Sequence, residues 1–331
     1  MKRISVSVLV VFLCSCLHAQ ELKVSGPDGK LEVSLSMDKG KLYYRVDLER
    51  QEMLENSPLG LQGENCDLAN NLHVVGSAMK VIDTMYEEPK IKRRQVHYRA
   101  NELRCTLENN LKQQLVVIFR VSNNDIAFRY YIPQVGESAN LRVTGEASGF
   151  KFPEFATTFL TPQASPMIGW KKTKPSYEEE YAADEAMGTA SKYGVGYTFP
   201  ALFHIGNRGW VLLSETGLNA SYCGAKLSEG TKAGFYKIAF PEVGENNAIG
   251  NANPTLALPG YTAWRTLSVG RTLKPIVETT IPFDVVEAQY TATKPYTFGR
   301  ATWSWLEWQD ESINFDDQKK FIDLSASMGY E

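Results

Sequence analysis

Three carboxylates in a row, Glu178, Glu179 and Glu180, stand between Tyr177 and Tyr181, with Asp184 and Glu185 close behind. Clustered carboxylates on an irregular loop suit a hard cation such as calcium, which takes several oxygen ligands. The spacing is not that of an EF-hand loop, and an acidic loop is often only a solvated one. A second group is aromatic: Trp303, Trp305 and Trp308 are half of the six Trp in the chain. Alternation along a strand would put Trp303 and Trp305 on one face, either as core packing or as walls against the apolar face of a sugar ring. Glu307 and Asp310 follow, as a carboxylate pair or as solvated acids.

Two further positions have the right chemistry. In Tyr261-Thr262-Ala263-Trp264-Arg265 an arginine adjoins a tryptophan, a pairing that can stack and hold a carboxylate or a loop. Glu215 ends an apolar run and reads as structural. Several catalytic classes lack their motifs: the sequence has no GxSxG, no HExxH, no P-loop, and no GxGxxG between strand and helix. His18 lies in the leader, and His73, His97 and His204 are far apart, so a histidine metal site or triad has no local support.

The elements that must position these residues are strands. Leu31, Val33, Leu35 and Met37 alternate with Glu32, Ser34 and Ser36, the period of a half-buried strand. The Asp38-Lys39-Gly40-Lys41 turn returns the chain along 42–48. Segments 114–121 and 125–132, joined by Ser122-Asn123-Asn124, form another pair, and 199–205 with 210–214 a third. The pattern is β throughout 22–286, with no long helical periodicity before residue 314. Many closely spaced strands without intervening helices imply packed antiparallel sheets, here a large two-sheet sandwich. Segment 277–296 leads out of it, with a boundary at Lys294-Pro295. Residues 301–305 then read as a buried strand, followed by a helix whose inward face is Phe321, Leu324, Ser325 and Met328 and whose stop is Gly329. One strand and one helix cannot bury their own apolar faces, so a longer parent protein is expected.

Composition bounds the rest. The chain has 331 residues, 43% apolar and 22% charged, with net charge −3, which gives no electrostatic case for nucleic acid. The basic cluster Lys90, Lys92, Arg93 and Arg94 follows Glu87 and Glu88 and reads as a solvated strand edge. Lys2 and Arg3 before an apolar stretch at 6–13 make an export leader ending near Ala19, too short to span a membrane. A rival reading makes Cys16 the lipidated residue of an outer-membrane lipoprotein. Both readings place the mature protein outside the cytoplasm, the first of them in the periplasm. Cys66, Cys105 and Cys223 are odd in number and widely spaced, with no CxxC, which excludes a disulfide framework or a zinc site and favours buried free thiols, with a single bridge as the alternative.

Several segments, in order, resemble one family. They are Ser25-Gly26-Pro27-Asp28-Gly29-Lys30-Leu31, Ser57-Pro58-Leu59-Gly60-Leu61, Ile126-Ala127-Phe128-Arg129-Tyr130, Pro200-Ala201-Leu202-Phe203, Gly209-Trp210-Val211-Leu212-Leu213-Ser214-Glu215, Trp264-Arg265 and Trp303-Ser304-Trp305. Together they look like glycoside hydrolase family 97, the Bacteroides-type α-glucosidases and α-galactosidases. The resemblance implies an N-terminal β-supersandwich followed by the first βα unit of a truncated (β/α)8 barrel. The expected divisions are a signal peptide at 1–19, the sandwich at 20–285, a linker at 286–300 and the barrel start at 301–331. The resemblance also implies Ca2+, with Glu178 as the matching ligand and Glu179 and Glu180 as alternatives. It implies an oligosaccharide or glycoside substrate, for which Trp303, Trp305 and Glu307 are the contacts offered by the reading of the residues above. The catalytic carboxylates are expected beyond Glu331, so this portion alone is expected to be inactive. The reading from another class is a non-catalytic carbohydrate-binding β-sandwich.

Overall fold

The structure, a computed structural model, describes residues 22–88, 91–134, 136–164, 180–245, 251–290, 293–295 and 297–330. Two compact units divide the chain, Met1–Glu287 and Ala288–Glu331.

The first unit is mainly antiparallel β, as the alternation requires. Strands Leu31–Asp38 and Lys41–Leu48 pair from Leu31 opposite Leu48 to Asp38 opposite Lys41. Lys39 and Gly40 make the turn at φ 46° and 74°, the left-handed values a two-residue hairpin loop of matching twist needs. Gln114–Val121 and Asp125–Ile132 pair with Ile126 opposite Val121. Ala201–His204 and Trp210–Thr216 pair across a short 3₁₀ turn at Gly206–Arg208.

Two sheets form the sandwich. One has seven strands: Leu22–Ser25, Leu31–Asp38, Lys41–Leu48, Gln51–Leu59, Gly149–Lys151, Phe235–Ala239 and Lys226–Leu227. The other has ten and runs from Ala182–Ala186 through Thr157–Leu160, Ala201–His204, Trp210–Thr216, Trp264–Gly270, Asp125–Ile132, Gln114–Val121 and Gln95–Glu108 to His73–Glu87. Its tenth strand, Gly260–Tyr261, pairs with Asp125–Ile132. A four-stranded sheet of Thr255–Ala257, Asn140–Glu146, Leu61–Gly63 and Cys66–Leu68 adjoins them.

The core lies between the two large sheets. Tyr44 and Phe150 come from one sheet, Phe119 and Phe128 from the other, and all four are buried. Ring centroids are 5.3 Å apart for Phe119 and Phe128 and 5.5 Å for Tyr44 and Phe128. Burying a side chain of this size contributes roughly 1.5–3 kcal/mol. Cys66 and Cys105 are buried and Cys223 is half-buried, all three as free thiols.

Two local expectations differ. The β pattern does not run to residue 286: helices α1 (Leu273–Glu278) and α2 (Ile281–Val285) intervene. Thr272 caps α1 by accepting the Lys274 N–H, and Pro282 near the start of α2 cannot donate to a strand ladder. Ile281 and Val285 pack with Tyr98, Ala100, Ile118, Ala127 and Trp264 on the outer face of the ten-stranded sheet, so the segment stays in the sandwich. The basic cluster is not a strand edge either. Lys92, Arg93 and Arg94 lie in the loop joining His73–Glu87 to Gln95–Glu108, with Arg93 paired to Glu278 at 2.6 Å. Lys90 lies outside the described residues.

The second unit contains α3 (Trp305–Trp308), a 3₁₀ turn at Gln309–Ser312 and α4 (Phe315–Ser327). Asn314 caps α4, its side chain accepting the Asp317 N–H at 3.0 Å. Gly329, at φ 66°, ends it: the Tyr330 N–H reaches Ser325 O at 2.9 Å and the Gly329 N–H reaches Ala326 O at 3.2 Å. This is a Schellman stop, which needs the left-handed conformation glycine adopts at least cost. The helix and its stop agree with the sequence reading, but its expected inward face is not buried, with Leu324 48% and Met328 55% exposed, and the expected buried strand at 301–305 is absent. Residues 301–303 are irregular and Trp305 begins a helix. A strand's backbone groups need a ladder partner, and the described residues of this unit include no other strand.

Candidate functional site

A cleft of about 460 Å³ opens at the edge of the ten-stranded sheet, beside Glu180 and Tyr181. Thr158 and Leu160 line it from the strand Thr157–Leu160. Glu180, Tyr181 and Glu185 line it from the neighbouring edge strand Ala182–Ala186 and the residues just before it, and Thr189, Ser191 and Tyr197 complete it. The wall is irregular for a physical reason. The Thr157–Leu160 and Ala182–Ala186 pairing shifts register between Thr158 and Leu160, and Asp184 sits at φ 59°. Such a bulge on an edge strand re-aims side chains. Asp184 is held there by the Thr157 hydroxyl, which donates to its carboxylate at 2.6 Å.

The rim is pinned from the other side. Glu229 accepts the backbone N–H groups of Ser191 at 3.0 Å and Gly196 at 2.8 Å, and also the Ser191 hydroxyl. Burial opposes its charge, but these donors outweigh burial and hold its pKa below the ordinary carboxylate value. Tyr197 donates to Thr189 O at 2.6 Å. Glu180 is exposed and Glu185 half-buried, so two carboxylates line the cleft. Glu178 and Glu179, with Tyr177, lie outside the described residues.

The aromatic candidates belong to the second unit. The Trp303 and Trp305 rings stack with centroids 6.0 Å apart at 24°. They share a side through the bend that starts α3, in place of strand alternation. Trp303 is 64% exposed, which leaves its ring free of core packing. The Trp305 indole N–H donates to Asp310 at 2.8 Å, which ties that carboxylate to the turn. Glu307 lines an open groove with Trp308, Asp310, Glu311, Asp317 and Lys320.

Arg265 and Glu215 come together, and Glu146, which the sequence reading missed, joins them. Arg265 donates from Nε to Glu146 at 3.0 Å and from Nη2 at 2.6 Å, and its remaining Nη1 pairs with Glu215. Glu215 also accepts the Ala225 N–H at 2.9 Å. Burial works against the Arg265 cation, but the facing carboxylates overcome it and raise its pKa above the ordinary value. Arg265 and Glu146 are each 1% exposed, so this cluster is an internal clamp closed to substrate. Trp264 does not stack on its neighbour Arg265, because adjacent strand residues point to opposite faces. It stacks instead on Arg129, whose guanidinium carbon is 4.2 Å from the ring centroid.

Comparison with known proteins agrees with this architecture. The family model Glycosyl-hydrolase 97 N-terminal matches residues 24–288. A probable retaining alpha-galactosidase of Streptomyces bingchenggensis (strain BCW-1) is 26% identical over 98% of this chain and 48% of its own length. The crystal structure of a beta-arabinopyranosidase superposes with a TM-score of 0.89 at 53% identity, covering 94% of this chain and 50% of that one. A family 97 enzyme (E480Q) from Pseudoalteromonas sp. strain K8, in complex with panose, shares the fold at TM-score 0.75 and 19% identity, over 94% of this chain and 46% of that one. The sandwich is thus of the kind that accompanies glycoside hydrolases. The chain belongs to glycoside hydrolase family 97, as its N-terminal part. It spans about half the length of the relatives it matches.

Proposed function

We propose that this chain is the N-terminal portion of an exported, calcium-dependent glycosidase that acts on galacto-configured pyranosides. The family match over 24–288 carries the reading, and the two relatives named for an activity narrow the substrate. β-L-Arabinopyranose has the ring stereochemistry of α-D-galactopyranose without the hydroxymethyl group, so a single pocket with an axial 4-hydroxyl partner would serve both. α-Glucosides, expected equally from the sequence, are then the poorer substrates.

In this reading the sandwich cleft lends one carboxylate to calcium, from Glu178, Glu179 or Glu180. The donors fit in kind, since Glu180 and Glu185 offer only hard oxygen ligands. In this reading the cleft would supply part of a ligand set; among the described residues no group of three or more His, Cys, Asp or Glu is arranged for a metal. Calcium, when bound, would polarise oxygens at the scissile bond. Trp303 and Trp305 would bear on the apolar sugar face, with Glu307 at its hydroxyls. The acid and its partner carboxylate, which glycoside hydrolysis requires on either side of the bond, would lie beyond Glu331. Secretion through the leader puts the enzyme in the periplasm, and lipidation at Cys16 would tether it to the outer membrane. No helix of the described residues is long and apolar enough to cross a membrane.

The test is hydrolysis of 4-nitrophenyl glycosides by the longer parent chain, beside residues 20–331 alone. The parent should cleave the α-D-galactoside and the β-L-arabinopyranoside at least about tenfold better than the α-D-glucoside, a difference of ~1.4 kcal/mol in barrel-pocket discrimination. A calcium chelator should abolish the activity. Turnover by residues 20–331 alone, or a preference for the glucoside, refutes the proposal.

A further inference from the structure

The outer face of the ten-stranded sheet carries basic side chains that neither the core nor the cleft uses. Strand register sets Arg104 opposite Ile118, Ile118 opposite Arg129, and Glu102 opposite Arg120, so these residues share one face. Glu102 is the acid among them, and both of its oxygens are taken. One accepts Arg104 Nε at 2.8 Å and the other Arg120 Nε at 2.7 Å. That leaves Arg129 without a carboxylate among the described residues.

Arg129 is instead held by rings. Its guanidinium carbon lies 4.0 Å from the Tyr261 centroid and 4.2 Å from that of Trp264. Trp264 is 1% exposed and anchored in the outer-face cluster, so it is a rigid wall. Tyr261 is backed by Tyr131, with centroids 4.7 Å apart, and is 40% exposed, so this side reaches solvent. Arg129 Nε is buried without a hydrogen-bond partner. A buried donor left unsatisfied costs roughly 1–3 kcal/mol, and contact with two rings offsets only part of the cost of desolvating the cation. Burial, with Arg120 beside it, lowers the Arg129 pKa to about 10, and the group stays charged at neutral pH.

We propose that Arg129 is the floor of an anion subsite on the sandwich, which takes a small carboxylate-bearing ligand of the uronate type. The two rings fix the guanidinium plane before any ligand arrives, and a planar fork matches a carboxylate bidentately, with little ordering cost. Arg104 and Arg120 outnumber Glu102, so the surrounding field is positive and draws an anion in. Tyr261 and Tyr131 lie beside the guanidinium, where the ring of an acidic sugar would pack. A tetrahedral phosphate matches the planar edge less well, and a neutral sugar lacks the charge. The inference does not rest on the glycosidase reading.

The experiment is a titration of the 15N-arginine-labelled protein, followed at the arginine Nε–H resonances, with sodium galacturonate, galactose and inorganic phosphate. Galacturonate should shift the Arg129 Nε–H signal saturably, phosphate weakly and galactose not at all. The enclosed Arg265 Nε–H is the internal control and should not move. By calorimetry, Arg129→Lys should weaken galacturonate binding about tenfold, because the charge survives but the fork does not. Arg104→Gln, which leaves the ring-bound guanidinium in place, should weaken it by a smaller factor. The proposal fails if galacturonate leaves Arg129 unshifted, if phosphate shifts it equally, or if Arg129→Lys binds as the wild type does. A loss of glycosidase preference in the parent would leave it standing.

Discussion

The sandwich fully buries side chains as large as Trp264, Arg265, Tyr44 and Tyr130, whereas residues 288–331 bury only Ser304 and Ser312 among those described. In the second unit the large apolar groups face outward: Leu306 is 65% exposed, Ile322 65% and Met328 55%. One region is specified by contacts between residues far apart in sequence, the other by signals within a few residues. Arg265 and Glu146 are 119 positions apart, but Asn314 caps a helix three residues away. An isolated helix of this length is marginal in water, so α4 depends on its ends in a way that no sandwich strand does.

That contrast can be broken at the clamp, where the largest effect is expected. Arg265→Met leaves Glu146 and Glu215 buried and unpaired, and should destabilise the sandwich by roughly 3–5 kcal/mol in urea unfolding. Neutralising the carboxylates as well, with Glu146→Gln and Glu215→Gln, should recover much of that loss. A cost below about 1 kcal/mol for Arg265→Met alone would mean that water reaches the cluster.

A smaller and pH-dependent effect is expected at Asp125. Its carboxyl accepts the Ser268 and Thr279 hydroxyls, and burial pushes its pKa from 3.8 up to about 6. The charged form is therefore disfavoured in the fold. The group's favourable contribution is complete below pH 3.8 and is lost as pH rises through 6. Asp125→Asn keeps an acceptor for both hydroxyls and carries no charge. It should stabilise the protein by roughly 1–3 kcal/mol at pH 8 and by nothing near pH 4, in paired unfolding curves. Equal stability at both pH values would sink this account.

The smallest effect sharpens the other side of the comparison. Gly329→Ala meets no atom within 4 Å of the new Cβ, so its only cost is a left-handed backbone at φ 66°. Helix α4 should lose about 1 kcal/mol, read as faster amide exchange across Phe315–Ser327 with the sandwich amides unchanged. Unchanged exchange in α4 would show that something other than its caps holds the helix.

Legibility in the sequence followed the same division. The Leu31–Leu48 hairpin was readable because strand period and turn chemistry are local. The Gly329 stop of α4 was readable for the same reason, whereas its Asn314 cap went unread. The strand expected at 301–305 was misread, because alternating aromatics specify a face but not a ladder partner. Helices α1 and α2 went unseen, since five or six residues show too little periodicity. Glu146 and Arg129 looked like ordinary strand residues, because nothing next to them in sequence signals what they meet.

By itself, then, the sequence determined which segments alternate, where they turn and the family resemblance. Only the tertiary structure decided that Arg265 closes on two buried carboxylates while Arg129, on a neighbouring strand, meets two rings and pairs with no acid among the described residues. Alternation assigns each residue to a face, but what lies opposite that face depends on sheet order and on the helix packed across it. Strands from distant parts of the chain set both.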